Sequence, residues 1–252
     1  AESREAIYAA HVERAEAAIE DAETNRESGD IEAAVAAYER ALDAYREASE
    51  VATEHDVGDS SFIDEQRSSI QARRDDLAVS SLGRRVSEIE IPEPPEDSGA
   101  IQDEYDDGIE RLESLLEQID DADVDRTEDI DLIRMEAQRK LVAARFRRGK
   151  ASAQEAIELF ESERYLEARE RFNDVSERLT SVRDSASPEA LGEHADELDH
   201  LIELCDRNAN IARKQSIGLT GDEDIQRLDP DANTRAEPGE TPEQLQYDDE
   251  ER

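Results

Sequence analysis

Apolar residues recur along most of this chain at alternating steps of three and four, the spacing that gathers them on one face of an α-helix. The clearest row is Ile31, Val35, Tyr38, Leu42, Tyr45 and Ala52, with Glu32, Glu39, Arg40, Asp43 and Glu47 between them. It predicts a helix from Gly29-Asp30 to about Ala52. Upstream, Ile7, His11, Ala15, Ala18, Ile19 and Ala22 form a stripe of mostly small residues, which lets a partner helix approach closely. Downstream, Ile63, Ile70, Arg73, Leu77 and Ser81 predict a third helix that ends before Pro92. The pattern restarts with Ile101, Tyr105, Ile109, Leu112, Leu116 and Ile119, then breaks at Asp120 to Asp125. A long helix is expected from about Ile130 to Phe160, and another carries Tyr165, Ala168, Phe172, Val175, Leu179 and Val182. Ser187-Pro188-Glu189 supplies a helix start with proline in the first turn, ahead of Leu191, Ala195, Leu198, Ile202, Cys205, Ala209 and Ala212. Nowhere do β-branched residues alternate over several positions. The expected fold is all-α, with about seven helices.

Punctuation divides the chain. Ile91-Pro92-Glu93-Pro94-Pro95-Glu96-Asp97-Ser98-Gly99 is the clearest linker. From Gly218 the periodicity stops, and Gly, Pro, Asp and Glu dominate. The expected organisation is a three-helix unit at 1–90, a linker at 91–99, a helical unit with one extra helix at 100–217, and a disordered acidic tail at 218–252. The two halves also align at a constant offset of 134: Ile31 falls on Tyr165, Ala34 on Ala168, Tyr38 on Phe172 and Ala41 on Val175. The offset persists at Ala22 and Ala156, Ile70 and Leu204, Arg73 and Arg207, and Leu77 and Ile211, while Ile63 against Glu197 breaks it. An offset that survives several helices and their loops points to a duplicated three-helix unit.

Gly29, Ala34, Tyr38 and Ala41 match the second helix of a tetratricopeptide repeat in spacing. Glycine permits the tight turn, small residues allow close approach, and the ring fills the gap. The second copy holds Glu163, Ala168, Phe172 and Val175 at these places, so the turn glycine is missing there. Ala18, Asp21 and Asn25 depart from the repeat's first helix, no proline stands near Arg46, and a long third helix follows. The arrangement therefore resembles the three-helix module of microtubule-interacting-and-trafficking domains as well. Both families are adaptors, so the resemblance implies protein–protein interaction.

Charge changes the picture of habitat more than of fold. Acidic residues outnumber basic ones 69 to 30, for a formal charge of −39 on 252 residues. Lys140, Lys150 and Lys214 are the only lysines; the other basic residues are arginine. Such a surface repels itself in dilute buffer and becomes tolerable where molar salt cuts the screening length to about 3 Å. It resembles the proteins of salt-in haloarchaea, and the expected location is the cytoplasm of a halophile. The first residues lack the basic start and apolar core of a signal peptide. Position 1 is not methionine, so the chain reads as a trimmed piece, with an earlier leader left open. No run approaches the ~18 apolar residues of a membrane span. Cys205 is the sole cysteine, which excludes an intrachain disulfide.

Against this acidity, Arg134, Arg139, Lys140, Arg145, Arg147, Arg148 and Lys150 form a basic island on the long helix, with Glu136 the only acid among them. It is either a docking site for an acidic helix, tail or nucleic acid, or it is neutralised by acidic neighbours within the chain. Nucleic acid is not expected, because the overall field repels phosphate and no aromatics interleave for stacking. Other chemistry is thin. Asp229, Asp231, Asn233 and Glu240 fit a calcium loop in spacing, but Thr234 replaces its turn glycine and prolines interrupt it. Glu197 and His200 have the spacing of a di-iron ligand pair without a second copy. Arg147-Arg148-Gly149-Lys150 lacks the earlier glycine and following hydroxyl of a phosphate-binding loop. No catalytic residue, cofactor or resident metal is expected. The function expected is a non-enzymatic adaptor that accepts another protein, such as an amphipathic helix in a groove. The alternatives are a coiled-coil-like spacer or self-assembling subunit and, less favoured, a metal-binding bundle.

Overall fold

The computed structural model describes residues 2–92, 102–122, 124, 127–219 and 225–228. Among them the chain is all-helical: α1 (Glu2–Ser28), α2 (Ile31–His55), α3 (Ser60–Glu88), α4 (Gln102–Asp120), α5 (Thr127–Glu161), α6 (Tyr165–Ser185), α7 (Pro188–Leu191) and α8 (His194–Ser216). Local chemistry sets several starts. The Asp30 carboxylate accepts from Ala33 N at 3.1 Å and Asp59 from Phe62 N at 3.1 Å, each satisfying an orphan donor of a first turn. Ser187 does the same for Ala190 N at 3.2 Å. Eight helices rather than seven arise because Gly192, at φ 50° and ψ −127°, takes a conformation no helix contains. It splits the element expected from Ser187 onward into α7 and α8.

The turns between α1 and α2 and between α5 and α6 have the same hydrogen bonds at the offset of 134. Gly29 N donates to Arg26 O and Asp30 N to Asn25 O; Glu163 N donates to Phe160 O and Arg164 N to Leu159 O. This is the paired 5→2 and 6→1 closure of a Schellman motif. Its left-handed residue is Gly29 (φ 84°) in the first turn and Glu163 (φ 61°) in the second.

Apolar faces meet in three clusters. The first joins Ala15, Ala18 and Ala22 of α1 to Ala37, Tyr38, Ala41 and Tyr45 of α2 and to Ile63 and Ile70 of α3. The second joins Leu82 and Val86, further along α3, to Leu112, Leu115 and Ile119 of α4 and Ile130, Ala137 and Leu141 of α5. The third joins Val142, Phe146 and Ile157 of α5 to Phe172 and Leu179 of α6 and Leu198, Ile202 and Cys205 of α8. With 29 and 35 residues, α3 and α5 are about 43 and 52 Å long. Each is long enough to leave one core and enter the next. Where α3 changes cores, a buried pair interrupts its apolar face: Arg74 Nη2 lies 2.6 Å from Asp75 Oδ1.

Candidate interaction sites on the fifth and eighth helices

The repeat-like positions are core positions. Ala34, Ala41, Ala168 and Phe172 are fully buried, and Tyr38 and Val175 nearly so. Tyr38 keeps its hydroxyl satisfied by donating to Glu23 on α1 at 2.7 Å. Burial first, and then this carboxylate, raise its pKa. Gly29 has open space around it, so its role is conformational.

The basic residues of α5 mostly face their own chain. Lys140 Nζ donates to the carbonyls of Val86, Ser87 and Ile89 at 2.8, 3.1 and 3.0 Å. One ammonium group thus caps the end of α3, where carbonyls have no helical partner. Two turns on, Arg147 Nη1 donates to the carbonyls of Ile91 and Pro92 at 2.7 and 3.3 Å. The next face carries a ladder to α4. Arg134 pairs with Asp120, Arg145 with Glu113 and Arg148 with Asp106, at 2.9, 2.7 and 2.8 Å. The three acids stand seven apart, so they line one stripe of an antiparallel neighbour. That heptad row was visible in the sequence and is the signal that would have found these partners. Arg134 also pairs with Asp131, and Arg139 donates to the Glu189 carbonyl of α7 at 3.1 Å. Lys150 differs. Its ammonium stands 5.7 Å from the centre of the Phe146 ring, and among the described residues no carboxylate pairs with it.

A second feature carried no sequence signal. After α8, the four residues Ile225–Leu228 lie back on the third core, where Ile225 and Leu228 pack. The fully buried Asn208 side chain receives Gln226 N at 3.0 Å on Oδ1 and donates from Nδ2 to Gln226 O at 2.9 Å. A residue whose N–H and C=O both face one partner is extended, as in an antiparallel pair that exchanges both bonds. Arg227 reaches Glu161 of α5 at 2.9 Å. Beside Leu228 a cavity of about 270 Å³ stays open, lined by Phe146, Lys150, His200, Leu201 and Leu204 among others. Asn208 reads as an ordinary polar residue until the segment that it binds is in place.

The remaining sequence candidates separate. Gly149 is the close crossing of α5 and α6: a Cβ there would lie 2.7 Å from Leu179 Cδ2. Cys205 is buried among apolar neighbours, and burial, with Asp206 second, pushes its thiol up to about 12. Among the described residues no group of three or more metal-ligating side chains converges, and no helix is long and apolar enough to cross a membrane. The calcium-loop positions Asp229, Asp231, Asn233 and Glu240 lie outside the described residues. Comparison with protein-family models, curated proteins and solved structures gives no match for this chain.

Proposed function

We propose that this chain is a non-enzymatic helical adaptor that binds another protein. The observation that carries the proposal is the α5/α8 groove, where a buried amide engages the main chain of an extended segment. Main-chain pairing with apolar anchors alongside is a recurrent way of holding polypeptide. The tetratricopeptide-like spacing of Gly29, Ala34, Tyr38 and Ala41 supports the same class. The test is affinity capture with the full chain from a halophile's lysate in molar salt. A stoichiometric partner, retained in molar salt, is expected; its absence would remove the proposal.

A second reading has its own observation. Because α3 and α5 each serve two cores, the three cores are held in series by continuous helices, which suits a rigid spacer. Light scattering in molar salt separates the two, since a self-assembling spacer gives oligomers and an adaptor a monomer. The composition supports a working place in a halophile's cytoplasm. Folding that requires molar KCl is the expected behaviour.

A further inference from the structure

We infer that the α5/α8 groove is an extended-peptide site which Ile225–Leu228 occupies in cis, and that its trans ligand is a peptide with two apolar anchors three residues apart, the second larger than leucine and followed by an acid. The inference rests on the adaptor reading and adds the chemistry of the partner.

Four features carry it. Asn208 uses both ends of its amide on the main chain of Gln226, so this contact is independent of which side chain stands there. Gln226 and Arg227 are exposed while Ile225 and Leu228 are half-buried, so the apolar selection falls on the first and fourth positions, with Arg227 pairing with Glu161 at the rim. The cis segment fills the site poorly. The cavity of about 270 Å³ beside Leu228 is several times the ~30 Å³ share of a water molecule. Phe146, Leu201 and Leu204 give it apolar walls that an aromatic side chain would cover. Finally, Lys150 lines that same cavity, as does Glu197, but no described carboxylate pairs with Lys150, so its ammonium offers a cation next to the second anchor. In this chain Asp229 follows Leu228 in sequence.

Tethering explains how a poorly fitting segment holds the site. Only residues 220–224 separate it from Leu219, which lies three residues beyond the end of α8. A short tether gives an effective concentration in the millimolar range, as a rough order of magnitude. A free peptide must therefore fit better than the cis segment in order to displace it. Long-range repulsion by the acidic surface is screened in molar salt, whereas the contact with Lys150 acts at short range.

The experiment uses the full chain in molar KCl, with and without Leu228→Asp, which removes the second apolar anchor of the cis segment and leaves the α5 and α8 side chains of the groove unchanged. The probes are a labelled peptide of residues 222–232 and the same peptide carrying Leu228→Phe, followed by fluorescence anisotropy. Expected are binding of both peptides to the Leu228→Asp chain at least about tenfold tighter than to the unaltered chain, and the Phe peptide about tenfold tighter than the Leu peptide, each about 1.4 kcal/mol. Lys150→Met should weaken binding several-fold. Asn208→Ala should abolish it; if that variant fails to fold, faster hydrogen exchange at Gln226 on adding peptide to the unaltered chain replaces it. No binding to the Leu228→Asp chain, or equal affinity for both chains, overturns the inference and leaves Ile225–Leu228 a structural strap. A concentration-dependent dimer that Leu228→Asp abolishes also overturns it, in favour of a second copy's segment. The adaptor reading fails separately. It survives these results if a partner is captured equally by both chains, and falls if no partner is captured at all.

Discussion

Glu163 holds a left-handed backbone at φ 61° in a turn whose first-half counterpart is Gly29 at φ 84°. A side chain in that region costs on the order of 1 kcal/mol, and glycine removes the cost. Glu163→Gly should therefore raise stability by about 1 kcal/mol, and Gly29→Ala should lower it by a similar amount. Urea titration in molar salt measures both; equal and negligible shifts would show that the turn carries no strain. Cys205 makes a second residue-scale test. Its thiol rises from an ordinary 9.0 to about 12 in the fold, chiefly by burial. The unfolded chain therefore loses that proton first as pH climbs, and stability present in full below pH 9 drains away between about 9 and 12. Burial raises Tyr38 and Tyr45 above 10.0 and steepens the upper end of the fall. Cys205→Ala should flatten the loss between pH 9 and 11 while the tyrosine share remains. An unchanged slope would mean that the thiol is not linked to folding. At this scale the sequence was informative about burial, since Cys205 sits in an apolar row. It was silent about Asn208, because the partner lies 18 residues further on and outside any helical spacing.

Among elements, the basic stretch of α5 works as a seam. Lys140 holds three carbonyls at the end of α3, Arg147 holds two beyond it, and three arginines meet the heptad-spaced acids of α4. These contacts differ in worth. The arginine pairs are a third to two-thirds exposed, so each contributes about 0–1 kcal/mol and less in molar salt. Lys140 gathers three carbonyls at one helix end, only one of which, Val86 O, also accepts a backbone N–H among the described residues (from Ile89), so Lys140→Met should cost about 2 kcal/mol. It should also speed hydrogen exchange in the last turn of α3, whereas Arg145→Ala should do neither. Equal effects of the two substitutions would refute this ranking. The helices themselves were legible: periodicity and caps placed α2, α5 and α6 to within a few residues. The division of α7 from α8 was not, because a glycine inside a periodic row is compatible with helix until its torsions are known.

For the whole molecule, sharing α3 and α5 between cores has a thermodynamic consequence. Cores that share a continuous helix are coupled, since unfolding one frays the strut of the next. Calorimetry in molar salt should show one transition for the three cores together, with calorimetric and van't Hoff enthalpies in agreement. Two resolved transitions would show that the struts do not couple the cores. The charge of −39 acts at this scale too. Self-repulsion falls as salt rises, so the midpoint should climb steeply from dilute buffer to molar KCl despite weaker ion pairs. A midpoint insensitive to salt would remove the halophilic proposal.

Local physics was enough to determine the helical class, the positions of most helices and their inward faces. Periodicity, caps and turn residues act over one or two turns and are written in order along the chain. The partners of those faces were decided only in three dimensions. Whether Arg148 is displayed or paired and what Asn208 holds depend on contacts between residues 42 and 18 positions apart. Many pairings satisfy the same one-dimensional pattern, and packing together with the need to satisfy buried polar groups selects among them.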